Sequence, residues 1–136
     1  MRLSKVYVST ETSQRLSMLS QRTGLKPNLS CRLGFCLSLE EAGVPTVEEF
    51  GGKSEREFNW STLFGQWDML FMALLKQRLF QDGLDPEAEL EEQLILHLNR
   101  GVFLLFKRVR QLQDIGPLLD RAGVGVREGD EEEQAI

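Results

Sequence analysis

Between Trp60 and Phe80 the chain carries apolar residues on nearly every side of a helix. Trp60, Leu63, Phe64, Trp67, Leu70, Phe71, Leu74, Leu75, Leu79 and Phe80 keep helical spacing, and Met69, Met72 and Ala73 fill the remaining directions. A helix predicted over 60–80 with such a surface needs cover all round. In a chain of 136 residues, the size of one ordinary domain, that cover comes from the centre of the core or from a second subunit. The second subunit is the favoured reading, and it predicts a homo-oligomer.

The first third reads as strand, helix, helix. Over residues 3–9, Val6 and Val8 fall on one side of an extended segment and Lys5, Tyr7 and Ser9 on the other. Thr10 or Thr12 can cap a helix near 11–23, with Leu16, Leu19 and Met18 as its stripe and Gly24 as its end. Pro27 suits the first turn of a second helix, whose inner side is read as Leu29, Leu33, Cys36, Leu37 and Leu39 and which Gly43 and Pro45 stop. Residues 44–58 lack a sustained period and form a loop, with one helical turn at Thr46–Phe50. Asp85-Pro86-Glu87 starts the last helix, which runs to about Gln113 and buries Leu90, Leu94, Leu98, Val102, Leu105 and Val109 before Gly116-Pro117 ends it.

The expected fold is therefore mainly α: a short N-terminal strand, a ribbon-helix-helix-like helix pair and two longer C-terminal helices, in an oligomer. Residues 1–121 form a single helical domain. Residues 122–136, with the run Asp130-Glu131-Glu132-Glu133, are expected to be a flexible acidic tail. No apolar run is long enough to span a bilayer and no signal segment follows Met1, so the protein is expected in the cytoplasm with no membrane partner.

A net charge of −5 argues against nucleic acid until the charges are located. Residues 1–39 hold six cations (Arg2, Lys5, Arg15, Arg22, Lys26, Arg32) against Glu11 alone, residues 40–99 hold four cations against thirteen anions, and residues 100–121 are basic again. Such segregation can present a basic face on an acidic chain. Lys5, Arg15, Arg22, Lys26 and Arg32 are the expected phosphate contacts. Arg100, Lys107, Arg108 and Arg110 form a possible second basic patch that could equally dock an acidic partner or be a solvated face.

His97, the only histidine, sits in His97-Leu98-Asn99-Arg100-Gly101. No serine, cysteine or carboxylate declares itself as its catalytic partner, so the segment reads as packing or a subunit contact, with Gly101 letting another backbone come close. Cys31 and Cys36 are too sparse for a disulfide framework or a zinc site and read as two small buried side chains. A Walker loop, a dinucleotide-binding glycine turn, a paired-cysteine motif and a nucleophile elbow are all missing from the sequence. No catalytic residue, metal ligand or cofactor is assigned, and the chain is expected not to be an enzyme.

Phe58-Asn59-Trp60-Ser61-Thr62-Leu63-Phe64-Gly65, Ala73-Leu74-Leu75-Lys76 and His97-Leu98-Asn99-Arg100-Gly101 resemble segments of DndE, the small subunit of bacterial DNA phosphorothioation systems, over roughly residues 1–120. The resemblance implies DNA sulfur modification, of the restriction-modification kind, in which a non-bridging phosphate oxygen is replaced by sulfur. It implies a non-catalytic accessory subunit, a helical tetramer, a preference for nicked duplex DNA, and partners that include a sulfur-transfer subunit and an SMC-like ATPase. The acidic net charge and the glycine-acidic tail depart from a simple basic DNA binder. An alternative is a scaffold subunit that contacts the other subunits and has little DNA affinity of its own. A ribbon-helix-helix regulator and a nickase using His97 rank lower.

Overall fold

The computed structural model describes residues 4–52 and 56–121, with side chains as far as Leu118. Strand β1 (Lys5–Tyr7) leads into α1 (Thr10–Thr23) and α2 (Pro27–Glu40), then come α3 (Val47–Phe50), β2 (Glu57–Asn59) and α4 (Trp60–Phe64). A 3-10 turn (Gly65–Trp67) precedes α5 (Asp68–Gln81); α6 (Leu90–Arg108) and a second 3-10 turn (Leu112–Asp114) lead to α7 (Ile115–Arg121). The acidic tail expected at 122–136 lies outside the described residues.

Helix α6 is the centre of the fold. The expected stripe of Leu90, Leu94, Leu98, Val102, Leu105 and Val109 is buried, and so are Leu96, His97, Asn99, Arg100 and Gly101 on its other sides. Its main partner is α2, laid antiparallel: Gly34 meets Gly101, and Ser38 meets His97 and Arg100. A Cβ built on Gly34 would stand 2.7 Å from the Gly101 carbonyl carbon, so the two backbones touch at this crossing.

That crossing explains a correction to the second helix. The face expected inside had Leu29 and Cys36 on it, yet Leu29 and Cys36 are exposed and the buried residues are Ser30, Cys31, Gly34, Phe35 and Ser38. Small residues at positions 30, 34 and 38 make a groove one turn apart into which α6 fits, and a hydrophobic stripe is the wrong signal for contact made by backbone.

The helix expected over 60–80 is two helices. Gly65 has φ 58° and ψ −138°, a conformation that favours glycine. The carbonyls of the broken end are taken up by α2: Arg32 Nε donates to Leu63 O at 2.7 Å, and Asn28 Nδ2 donates to Thr62 O at 3.1 Å. The apolar surface divides accordingly. Leu63, Phe64, Leu75 and Leu79 are buried, with Phe35, Phe64 and Phe71 in mutual ring contact. Trp67, Met69, Leu70, Leu74 and Phe80 face outward, Met69 being 83% exposed and Phe80 78%.

The loop expected at 44–58 yields the turn at 47–50 and also a strand. β1 pairs antiparallel with β2 of the same chain, Val6 opposite Phe58 and Lys5 opposite Asn59, so the ribbon strand of the expected helix pair has an in-chain partner. Three helix boundaries differ from the expected ones. Ser9, not a threonine, caps α1, accepting from Thr12 N at 3.1 Å, while Gly24 closes it at φ 77° as expected. Asp85 accepts from Glu87 N at 2.9 Å and closes a turn, and α6 begins only at Leu90. α6 stops at Arg108, where Asp114 Oδ2 accepts from Arg110 N and Gln111 N, and Gly116-Pro117 then lies in the first turn of α7, where proline is tolerated.

Candidate nucleic-acid interface

Arg15 and Arg22 stand seven residues, about two turns, apart on α1, and each covers a ring on α6. The Arg15 guanidinium lies 4.8 Å from the centroid of Phe103 and that of Arg22 lies 4.5 Å from Phe106. Lys107, one turn beyond Phe103, places Nζ 5.0 Å from the same Phe103 ring. Cation–π contact of this kind is worth about 0.5–1 kcal/mol at an exposed site and holds a long side chain in place without neutralising it. Among the described residues no carboxylate oxygen pairs with Arg15, Arg22 or Lys107.

The end of the molecule beyond these rings is basic as well. Because α2 runs antiparallel to α6, Lys26 at the start of α2 and Arg108 and Arg110 at the end of α6 lie toward the same end of the helix pair, and all three are exposed. Glu91 and Glu92 lie in the first turn of α6, at its opposite end, about 25 Å from Arg108 at the helical rise. The two patches that are separate in the sequence thus meet through Phe103 and Phe106. Neither ring stands out in the sequence, although Phe103 and Phe106, three apart, share a helix face with Lys107.

Three of the expected contacts lie elsewhere. Lys5 Nζ sits 3.3 Å from the Glu57 carboxylate across the two-stranded sheet. The same carboxylate accepts from the Tyr7 hydroxyl, which lowers the Glu57 pKa and raises that of Tyr7. Arg32 is the clamp on the end of α4. Arg100 is 6% exposed and points inward: Nε donates to Ser38 Oγ at 2.9 Å, Nη1 to Gly43 O at 2.8 Å and Nη2 to Ser38 O at 2.8 Å. Arg78 joins it at the same helix end, donating to Leu39 O at 2.7 Å and Gly43 O at 2.6 Å while pairing with Asp82 at 2.9 Å. Two guanidinium groups therefore cap the C-terminus of α2, where the helix dipole favours cations.

His97 is part of this buried cluster. Ser38 Oγ lies 2.7 Å from His97 Nδ1 and accepts from Arg100 Nε at 2.9 Å, so the serine joins the two. The other ring nitrogen, Nε2, is buried and has no hydrogen-bond partner among the described residues. Burial first, then Arg100 and Arg78, push the His97 pKa down to about 3. A serine bonded to a histidine is a nucleophile's arrangement, but both residues are 0% exposed, and among the described residues no carboxylate bonds the other ring nitrogen, Nε2, to orient it. Asn99, the other polar residue of the motif, ties α1 to α3: its Oδ1 accepts from Ser9 N at 3.1 Å and its Nδ2 donates to Phe50 O at 2.7 Å.

Beside Arg15 an open hollow of about 440 Å³ is lined by Ser9, Thr12, Arg15, Glu49, Phe50 and Phe103, among others. A second hollow of about 300 Å³ shares Glu49, Phe50 and Phe103 with the first and includes Lys107. Of the cysteines, Cys31 is buried, its thiol pushed up to about 12 by desolvation, and Cys36 is exposed, which corrects the expectation that both are inside. Among the described residues no group of three His, Cys, Asp or Glu side chains could hold a metal ion, and no helix is long and apolar enough to cross a membrane.

Fold and surface define a small helical protein with a ring-braced basic end and a buried polar cluster. The family model for DNA sulphur modification protein DndE matches residues 5–112, and the chain belongs to the DndE family. Among solved structures it is similar to DndE from Escherichia coli B7A, described as involved in DNA phosphorothioation modification: TM-score 0.63, 25% identity, with 77% of this chain and 98% of that chain covered. No curated protein matches the chain.

Proposed function

We propose that this chain is a non-catalytic accessory subunit of DNA phosphorothioate modification that holds duplex DNA, nicked duplex above all, by its backbone phosphates. The observation that carries the reading is the convergence of Arg15, Arg22 and Lys107 on Phe103 and Phe106 with no carboxylate among the described residues pairing them. Lys26, Arg108 and Arg110 extend the same end. Cations held in place but left unneutralised suit phosphate contact, which fixes position without reading bases. Lys5 joins only by leaving Glu57. Arg32 and Arg100 support the fold that carries the site. The outward apolar side of α5 is the proposed contact for further copies of the chain, as a tetramer, and the sulfur-transfer and SMC-like ATPase subunits are the proposed partners.

A second reading has its own support in the net charge of −5 and the exposed side of α5: a scaffold subunit with little DNA affinity of its own. Binding of the purified protein to labelled intact and nicked duplexes across a salt series separates the two. On the first reading, binding falls steeply with salt, and changing Arg15, Arg22 and Lys107 to Ala flattens log K against log salt by about 0.9 for each phosphate that is no longer neutralised. Absence of binding at low salt, with stable copurification of partner subunits, sinks it in favour of the second.

A further inference from the structure

We infer that the hollow beside Arg15 receives an unpaired nucleobase, presented by a DNA strand end or break whose phosphates lie on the basic face; the source of the base rests on the DNA-binding reading above. At about 440 Å³ the hollow falls in the range of roughly 300–1,000 Å³ typical of small-molecule sites. Its wall includes two rings, Phe50 and Phe103, with centroids 6.0 Å apart and planes inclined at 49°. Both are half-buried; Phe103 already carries Arg15 and Lys107 over its ring, so the ring surface left to cover is that of Phe50. Stacking on such rings is how proteins hold single bases without regard to sequence.

The polar groups argue for a base and against a bare phosphate. Glu11 and Glu49 line the hollow, and Glu49 is steadied by Thr46 Oγ1, which donates to its Oε1 at 3.2 Å. Carboxylates repel phosphate but accept hydrogen bonds from the exocyclic amino groups of adenine, cytosine and guanine. Two cations accompany the carboxylates: Arg15 lines the first hollow, Lys107 lines the second, and both lie over Phe103. A strand passing over that ring places its phosphates on the two cations and one base in the hollow against the side of Phe50 that Phe103 leaves open. An intact duplex has no base to offer, so the hollow gives the protein a means of distinguishing broken from continuous DNA.

The test uses the full chain in two arms. In the first, ¹H–¹⁵N spectra are recorded with deoxyadenosine, which carries no phosphate, and separately with inorganic phosphate. The inference expects deoxyadenosine to shift the Ser9 amide and the Asn99 side-chain amide, and phosphate to leave both unmoved. In the second, a nicked duplex with one unpaired 2-aminopurine at the break is compared with an intact duplex. Quenching of the 2-aminopurine is expected, and Phe50→Leu should cut the preference for the broken duplex by about five- to a hundredfold with the salt slope retained. Should Phe50→Leu unfold the chain, Glu49→Ala serves: it keeps the rings and is expected to weaken deoxyadenosine more than deoxyinosine, which lacks the amino group. No shift with deoxyadenosine and no quenching overturn the inference even if salt-sensitive duplex binding persists. Shifts with deoxyadenosine in a protein that binds no DNA sustain the pocket and overturn the DNA reading instead.

Discussion

Gly34 and Gly101 touch through their main chains, and the crossing of α2 and α6 exists only because neither has a side chain. A Cβ on Gly34 would stand 2.8 Å from Val102 N, and one on Gly101 would fall inside contact distance of the Gly34 carbonyl. The atoms in the way are backbone of two helices, so nothing flexible can yield. The two helices would have to separate, and the cluster of Ser38, His97 and Arg100 one turn away would separate with them.

Gly101→Ala is therefore expected to destabilise the chain by about 3 kcal/mol or more, the upper range for overpacking, although alanine normally strengthens a helix interior by up to about 1 kcal/mol. Urea unfolding gives the number. A loss under about 1 kcal/mol would mean that the helices cross with slack.

This crossing also shows what the sequence could reveal. Gly101 is readable as a close approach because it interrupts an otherwise strong helix, and the leucine stripe of α6 is readable by its period. The inner face of α2 is not, since Ser30, Gly34 and Ser38 contribute smallness and not hydrophobicity. Nor is the break at Gly65: a glycine in an apolar run is tolerated in a helix, and only the donors from Arg32 and Asn28 make a helix end there. β2 is three residues long, too short for alternation to register. At the candidate interface, Arg15, Arg22 and Lys107 are legible as cations. Arg32 and Arg100 look the same in sequence, and only the fold shows that their guanidinium groups serve backbone carbonyls.

Arg32 and Arg100 consequently make good controls. Arg100→Met removes the charged donor to Ser38 Oγ and the shorter of the two to Ser38 O, leaving Arg78 alone on Gly43 O, and a cost of about 2–4 kcal/mol is expected, within the range for breaking a buried charged hydrogen-bond network. In the fraction that remains folded, the salt slope of DNA binding should match the parent chain. A flatter slope would return Arg100 to the phosphate contacts.

His97 gives the chain a pH dependence of predictable sign. Its folded pKa, about 3, lies below the unfolded value near 6.5. As pH falls from about 6.5 toward 3, the unfolded chain takes up a proton that the folded one does not, so stability is lost on acidification and is fully present above about pH 7. His97→Asn can still hydrogen-bond Ser38 but does not titrate. The variant should be the less stable at pH 7, and about 2 kcal/mol of that deficit should disappear by pH 5. Parallel stability curves for the two proteins would show that His97 is charged in the fold.

The outward side of α5 carries the last expectation. Met69, Leu70, Leu74 and Phe80 are 83%, 53%, 40% and 78% exposed, and a run of large apolar groups on one helix is unusual on a surface that meets only water. If further copies of the chain cover it, Met69→Glu combined with Phe80→Ser introduces a charge and removes a ring where the interface would be desolvated. Light scattering should then report a shift from oligomer toward monomer. The isolated fold should change by about 0.5 kcal/mol or less per site, because neither side chain belongs to the core. A double variant that keeps its parent's mass places the interface elsewhere, and a parent chain that is monomeric at high concentration removes the oligomer from the proposal, leaving α5 to meet a different subunit.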